Sequence, residues 1–308
     1  MSKKTSYLLG ILLTIIIGTL MYCYLCDGCY CYPSSETEAD ITNTVEEPEV
    51  IPATRNAFAI SDADGDFNIK VNDNFNFKIS NFSILEPISN DVTSEVTRLK
   101  DYLVTNPLKH IDITGYYRSD ETNNSAYPNL GLARANAVKK YLTAYGIPAK
   151  QINTYGELDD AMNPDATNTL FGPLKFGIIT LEEDHKDEAL EAACDAIRKT
   201  PVVLYFNTGQ AQINLTSEQR QKIADISRCV DKLGIKVKVV GHTDSTGNAE
   251  NNVILGQQRA DFAKSYLVRN GILFENIDAT SKGQAEPIAD NATDGGKAKN
   301  RRTVITIN

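Results

Sequence analysis

The amino-acid sequence predicts a mixed α/β fold, an α+β sandwich arranged as two tandem β-α-β-α-β-β domains behind a single N-terminal transmembrane helix. Three observations predict it: an uncharged apolar run near the N-terminus, an alternation of strand-like and helix-like patterns, and an internal repeat at a constant offset. Strands and helices that alternate in this way bury their apolar faces as a helix layer over a sheet. The 308 residues suffice for two such domains.

The apolar run covers residues 7–25. Its length matches the roughly 20 residues that a helix needs to cross a bilayer. Lys3 and Lys4 precede it and favour a cytoplasmic N-terminus, so we expect the rest of the chain outside the cytoplasm. A cleaved signal peptide is one alternative, but the run is longer than a usual signal core and no small-residue cleavage pattern follows Leu25. Lipoprotein processing at Cys26 is another, but Tyr24 and Leu25 are bulky where small residues are needed. The choice between inner and outer membrane stays open.

The anchor region, residues 1–32, ends in a cysteine cluster, and residues 33–56 form an acidic, proline-containing linker. Outside the cytoplasm the clustered thiols are expected to oxidise among themselves or between chains rather than to hold an iron–sulfur centre. The cluster consists of Cys23, Cys26, Cys29 and Cys31. Cys194 and Cys229 lie on predicted helices, where a disulfide and two buried thiols are both open. A homodimer and other envelope proteins are left open as partners.

Residues 190–308 carry the clearer domain pattern. Thr216 to Gln219 has the form of a capping box, and Gly234 is expected to end the helix that follows. The other elements are two further helices and four strands. They are predicted at residues 187–199 and 252–269 (helices) and at 202–206, 236–240, 277–280 and 303–307 (strands).

Residues 57–182 look like a divergent copy. Arg134 and Arg259 occupy the same place in two similar helix openings, and Gly146 and Gly271 follow the two helix ends. Both pairs are separated by 125 residues (259 − 134 and 271 − 146). A constant offset across helix start and helix end predicts duplication.

The C-terminal part contains an ordered set of polar residues. Asp244 follows the end of a predicted strand, and Arg259, 15 residues later, lies near the start of a predicted helix. This arrangement can bring an acidic and a basic side chain to the entrance of one pocket. Such a pair can hold both charges of a zwitterion. The set comprises Gly241-His242-Thr243-Asp244, Asn252, Leu255-Gly256, Arg259-Ala260 and Asn300-Arg301-Arg302.

These motifs resemble the C-terminal peptidoglycan-binding domain of the OmpA family, over residues 200–308. The resemblance implies non-covalent binding of peptidoglycan through its diaminopimelate by a wall-to-membrane tether in the periplasm. It implies that Asp244 accepts from the ammonium and Arg259 grips the carboxylate, with further donors from amides around Leu255. Thr243, Asn252 and Leu255 would line the pocket, and Arg302 would stand behind it.

Other functions fit less well. The charge of −9 argues against a nucleic-acid partner. No catalytic serine, cysteine or zinc-protease pattern is present, so we expect no enzyme, no cofactor and no metal. A flagellar-stator-like subunit is the alternative, but residues 7–25 lack the carboxylate that ion coupling needs. His242 and Asp244 could contribute to a metal site, but a structural role for the imidazole is favoured. Residues 62–66 resemble the opening of a calcium loop, but a polar turn is favoured there.

The first copy departs from the pattern at the site. Arg118 stands where the second copy has Asp244, so an acid becomes a base. Two arginines facing a zwitterion would repel its ammonium. We therefore expect residues 57–182 to have lost diaminopimelate binding and to act as a spacer or protein-contact module. Ser119-Asp120 would restore an acid only if the turn reorganised.

Overall fold

The computed structural model describes residues 13–17, 52–65, 67–182 and 188–308. Residues 13–17 are helical (α1) and belong to one compact unit, residues 1–50, while residues 51–308 form another. Most of the expected 7–25 helix, the cysteine cluster and most of the linker lie outside the described residues. Within the described part of the chain, no helix has both the length and the apolar character required to cross a membrane.

The first half (52–182) contains one three-stranded sheet. Along the chain, one helix precedes the central strand of this sheet and another follows it. The sheet order is β5-β4-β7, with β4 parallel to β5 and antiparallel to β7. The elements are β1 (Phe58–Ser61), β2 (Asn68–Val71), β3 (Phe77–Lys78), α2 (Asn90–Thr105), β4 (Lys109–Tyr117), α3 (Leu130–Ala144), β5 (Ile152–Leu158), β6 (Thr169–Leu170) and β7 (Leu174–Thr180).

The second half (188–308) contains a four-stranded sheet in the order β10-β9-β11-β8. Strand β9 is parallel to β10, and β11 is antiparallel to both β9 and β8. The elements are α4 (Glu188–Lys199), β8 (Val202–Tyr205), α5 (Ser217–Leu233), β9 (Val237–His242), α6 (Ala249–Arg269), β10 (Ile277–Gly283), α7 (Asp294–Asn300) and β11 (Arg302–Ile307).

The predicted mixed α/β character is confirmed, and several elements differ from the prediction in extent or in presence. Helix α6 begins at Ala249, three residues before the predicted start, because Asn248 caps it: its Oδ1 accepts from the Glu250 N–H at 2.7 Å. Strands β9 and β10 continue past their predicted ends at residues 240 and 280, to His242 and Gly283. The seven-residue helix α7, rich in Gly and Lys, has no apolar periodicity and was not predicted.

Helix α5 begins and ends where the sequence predicts. The Thr216 hydroxyl accepts from the Gln219 N–H at 3.2 Å, and the Gln219 side chain accepts from the Thr216 N–H at 3.0 Å. At the other end Gly234 has a φ of 64°, which only glycine adopts without strain. Both ends of the helix are therefore fixed by local sequence alone.

Each half has its own apolar core. In the first, Val92, Val96, Leu99 and Leu103 are fully buried on one face of α2, as the helical spacing predicts. In the second, the cysteine alternatives are resolved: Cys194 and Cys229 form a disulfide that links α4 to α5. Of the polar turn predicted at residues 62–66, the described residues 63–65 form a turn, and the preceding Asp62 carboxylate accepts from Lys109 and from the Tyr102 hydroxyl.

The two halves are interlocked by a loop of the first. Ala126 is buried as part of the core of the second half. Around it Arg220 donates to the Ser125 carbonyl at 3.1 Å, and Asn270 donates to the Ala126 carbonyl at 3.4 Å. We call residues 123–127 the wedge loop. Residues 51–308 consequently pack as one compact unit.

Candidate functional site

A close crossing of strand and helix builds the site. A Cβ on Gly241 of β9 would lie 1.9 Å from the carbonyl oxygen of Gly256 on α6. Two glycines are needed because any side chain at this crossing would separate the backbones. Arg259 lies one turn beyond Gly256 on α6, so the crossing sets its side chain beside the end of β9.

Arg259 is fully buried and held by backbone carbonyls. Its Nε donates to Gln210 at 2.8 Å, its Nη1 to His242 at 2.8 Å and its Nη2 to Asn207 at 3.2 Å. A guanidinium has five N–H groups, so these bonds account for three of them. The three carbonyls hold the plane of the guanidinium fixed, which prepares it for bidentate binding.

The charge of Arg259 is only partly compensated. Burial lowers the pKa of Arg259 to about 10. The negative charge of Asp244 raises this pKa, and the positive charge of Arg301 lowers it further. The group remains a cation at neutral pH. A buried cation held by neutral carbonyls gains from any carboxylate that reaches it.

Asp244 is 4 % exposed, and its carboxylate is bound by an arginine other than Arg259. Its Oδ2 accepts from Arg301 Nη1 at 2.8 Å, and its Oδ1 accepts from the Thr246 N–H at 3.0 Å. Burial alone would raise the pKa of Asp244, but these two bonds hold it below its ordinary value. Asp244 is therefore ionised at neutral pH, and a carboxylate retains capacity for a further donor.

Arg301 is the residue of this site to which the sequence reasoning assigned no role. Its Nε donates to the Phe206 carbonyl at 3.0 Å while its Nη1 holds Asp244. Arg302 is buried and turned away, donating to the carbonyls of Asn300 at 3.4 Å and Glu286 at 3.1 Å. Spacing does not separate these two neighbours, because Arg302 is the first residue of β11 and Arg301 follows the end of α7.

Thr243 and Asn252 belong to the hydrogen-bond network around Asp244. The Thr243 hydroxyl and the Asn252 amide both donate to the Asp244 carbonyl, at 2.9 and 3.3 Å. Leu255 is half-buried on α6. The expected amide donors around Leu255 are a wrong prediction, because the helix begins at Ala249 and the Asn252 N–H already donates to the Asn248 carbonyl at 3.0 Å, so Leu255 lies inside the helical hydrogen-bond ladder.

His242 is buried beside the site and neutral. Burial lowers its pKa to about 4, and the nearby Arg302 charge acts in the same direction. Its Nδ1 has no hydrogen-bond partner among the described residues. The part of the chain that the structure describes contains no group of three or more His, Cys, Asp or Glu side chains able to hold a metal.

The first half repeats the setting of the buried arginine. Arg134 is fully buried and donates to the carbonyls of Asn81 (3.1 Å), Tyr116 (2.8 Å) and Lys78 (3.4 Å) through Nε, Nη1 and Nη2. The Lys78 and Asn81 acceptors precede Asn207 and Gln210 by the same 129 residues (207 − 78 and 210 − 81). Gly115 and Gly131 form the matching close crossing, with a Cβ at 2.0 Å from the carbonyl oxygen.

The two settings differ in one respect, a carboxylate. Arg134 also donates to both oxygens of Glu121, through Nη1 at 3.0 Å and through Nη2. Arg118, expected to face a ligand, instead binds Asp120 with two bonds of 2.9 Å. The expected pair of arginines facing one ligand is therefore wrong: one is neutralised by Asp120 and the other by Glu121. Only the long-range contact identifies Glu121, because no local pattern marks it.

Comparison with known proteins identifies relatives of this chain. The sequence model of the OmpA family matches residues 77–170 and 205–301. The peptidoglycan-binding protein ArfA of Mycobacterium tuberculosis is 36 % identical over 120 residues, which are 39 % of this chain and 36 % of ArfA. The peptidoglycan-associated lipoprotein of Buchnera aphidicola subsp. Baizongia pistaciae is 33 % identical over 132 residues, 42 % of this chain and 72 % of that one.

Among solved structures, the peptidoglycan-associated lipoprotein from Burkholderia pseudomallei is similar at 22 % identity. The match covers 34 % of this chain and 89 % of that one, with a TM-score of 0.32. The chain thus spans little more than a third of the length of the ArfA relative.

Proposed function

The chain belongs to the OmpA family, and from this premise we propose that its second half binds peptidoglycan non-covalently. The ligand is the free end of diaminopimelate, which carries an ammonium and a carboxylate on one carbon. Arg259 takes the carboxylate and Asp244 takes the ammonium. The relatives named for peptidoglycan binding and association support this reading.

One observation carries the carboxylate half of the proposal. The same guanidinium setting occurs twice, and in the first half it holds a carboxylate with two N–H groups. In the second half Arg259 makes the same three carbonyl bonds, and no carboxylate of the described chain binds it. The ligand carboxylate supplies the missing partner, in bidentate geometry.

Asp244 supplies the acid half. Arg301 and Thr246 orient its carboxylate and keep it ionised, so it can accept from an ammonium without a proton shift. Arg301 also offsets part of its charge, which limits the affinity for simple cations. An acid and a base fixed on separate backbone elements discriminate a zwitterion from a lone amine or a lone acid.

Thr243, Asn252 and Leu255 border the pocket in this proposal. Asn252 has the clearest supporting role, because its amide joins the Asp244 carbonyl to the Gln284 side chain at 2.7 Å. Arg302 stabilises the turn behind the site through the Glu286 carbonyl. The proposed activity is binding alone, with no chemical step.

The wider architecture is proposed on the same basis. Residues 1–32 anchor the protein in an envelope membrane through a single-pass helix at 7–25, and residues 33–56 are the linker. Residues 57–182 and 190–308 are tandem domains of one family, which the repeated crossing and carbonyl set support. The protein then tethers a membrane to the cell wall from the periplasmic side.

Substitution of Arg259 by lysine tests the proposal. Lysine keeps the charge but cannot make two parallel bonds, so retention on purified diaminopimelate-containing sacculi should fall about tenfold, or roughly 1.4 kcal/mol. The matched control is Arg134→Lys, which makes the same change in the first half. It should lower stability similarly and leave retention unchanged.

The ligand chemistry is checked in the same assay. Stem peptides containing diaminopimelate should release the protein from sacculi, whereas peptides with lysine at that position lack the terminal carboxylate and should not. Equal retention of Arg259→Lys and Arg134→Lys, both folded by circular dichroism, would remove Arg259 from the site. Equal competition by the two peptides would remove the carboxylate from the recognition.

A further inference from the structure

Glu121 is a carboxylate with a buried side chain that accepts from four hydrogen-bond donors. Its side chain and that of Arg134 are both 0 % exposed. Besides the two bonds from Arg134, Oε1 accepts from the Ser80 N–H at 2.8 Å and Oε2 accepts from the Arg118 N–H at 2.9 Å. Four donors converge on one carboxylate, which is the donor set of a carboxylate-binding site.

The backbone is shaped to make that donor set. Ser80 has a φ of 56°, a region that residues other than glycine rarely adopt. Gly209 follows Ser80 by the same 129 residues (209 − 80) that relate the arginine acceptors, and it has a φ of 70°. The left-handed turn is therefore common to both halves, and in the first half its amide points at Glu121.

We propose that Glu121 is a built-in ligand that fills a carboxylate-binding site in the first half, and that this site accepts a small free carboxylate once Glu121 is shortened. The inference goes beyond wall binding, because it concerns the first half and requires no peptidoglycan. From the sequence alone, the first half is expected to have lost its binding site. In this proposal the site is still present, and Glu121 occupies it.

The second half lacks an equivalent side chain. Tyr116 and His242 supply matching carbonyls, and Glu121 and Gly247 each lie five residues further along the chain. Gly247 has no side chain to reach Arg259, and an added Cβ there would meet open space. At this position the second half therefore has no side chain that could take the place of Glu121.

The test uses Glu121→Ala in the full chain, with acetate as the probe. The substitution removes one methylene and the carboxylate, which are the atoms of acetate. The thermal midpoint should fall by about 10 °C, because a buried cation loses its partner. Added sodium acetate should then raise the midpoint of the variant progressively, compared with sodium chloride at equal ionic strength.

Two further variants make the result decisive. Glu121→Gln fills the cavity with an uncharged group, so it should be destabilised and show no response to acetate. Glu121→Ala combined with Arg134→Met removes the cation, so it should also show no response. If Glu121→Ala alone does not fold, its refolding yield in acetate against chloride gives the same comparison.

Two outcomes would overturn the proposal. In one, Glu121→Ala is as stable as the parent protein, which means that the carboxylate is not needed. In the other, acetate acts no differently from chloride on the midpoint or refolding yield of Glu121→Ala, which means that the emptied space is not a binding site.

Discussion

At the scale of single residues, the second half is defined by charges that lack full compensation. Arg259 is buried among neutral carbonyls, and Asp244 is ionised because Arg301 and Thr246 bind it. His242 lies beside them and is kept neutral by its burial and by the Arg302 charge. The three side chains lie near the C-terminal end of β9 but differ in charge at neutral pH: Arg259 is a cation, Asp244 is an anion and His242 is neutral.

His242 gives the protein a measurable pH dependence. Its folded pKa of about 4 lies below the ordinary value of 6.5, so the unfolded chain binds a proton that the folded chain does not. Stability should therefore fall as pH decreases from 6.5 toward 4. The thermal midpoint of His242→Leu should change less across pH 4.5 to 6.5 than that of the parent. Parallel midpoint curves for the two proteins would contradict this assignment.

At the scale of elements, the crossing of a strand and a helix at paired glycines decides where each arginine lies. Gly241 with Gly256 and Gly115 with Gly131 bring backbones into contact in both halves. The difference between the halves comes afterwards, in the connection. Helix α6 begins at Ala249, only a few residues after β9, whereas α3 begins at Leu130 and leaves residues 118–129 as a loop. That loop supplies both Glu121 and the wedge loop.

Substitution of Gly241 by alanine tests the crossing. The new Cβ would meet the Gly256 carbonyl oxygen at 1.9 Å, so the strand and helix must separate, at a cost of about 3 kcal/mol. Gly177→Ala on β7 is the matched control, because its Cβ would meet nothing within 4 Å. Urea denaturation followed by circular dichroism should show a large loss for Gly241→Ala and little change for Gly177→Ala. Equal midpoints would show that the helix adjusts freely.

At the scale of the whole unit 51–308, the wedge loop makes the halves interdependent. Ala126 completes the apolar core of the second half, and the Lys139–Asp231 ion pair at 2.5 Å supports the same contact. Arg220 and Asn270 bind the loop backbone from the second half. Unfolding of one half therefore exposes apolar surface of the other.

A charge at Ala126 tests this dependence. Ala126→Glu places an unpaired carboxylate in an apolar core, which should cost about 3 kcal/mol. Calorimetry should then resolve two unfolding transitions where the parent protein shows one. Ala144→Glu, an exposed change on α3, is the control and should leave the single transition in place. A single unshifted transition for Ala126→Glu would contradict the interlocked arrangement.

The sequence was sufficient where local chemistry decides the structure. The Thr216 capping box, the Gly234 helix end and the buried face of α2 depend on neighbouring residues, so their patterns are readable. The sequence pattern did not predict which acidic side chain pairs with which basic one. Glu121 reaches Arg134, and Arg301 reaches Asp244, through the course of loops and strand faces in three dimensions. Spacing can place an arginine at a site, but it does not tell which acid neutralises it.

The occupied first site limits the number of binding sites that one molecule offers to a ligand. In the proposed function, a chain whose first site is filled by Glu121 offers the wall one described site instead of two, so its residence time is that of a single contact. Firm attachment then arises from many copies engaged side by side, since avidity grows with the number of linked contacts. A population of such molecules can exchange one by one while the assembly as a whole stays attached.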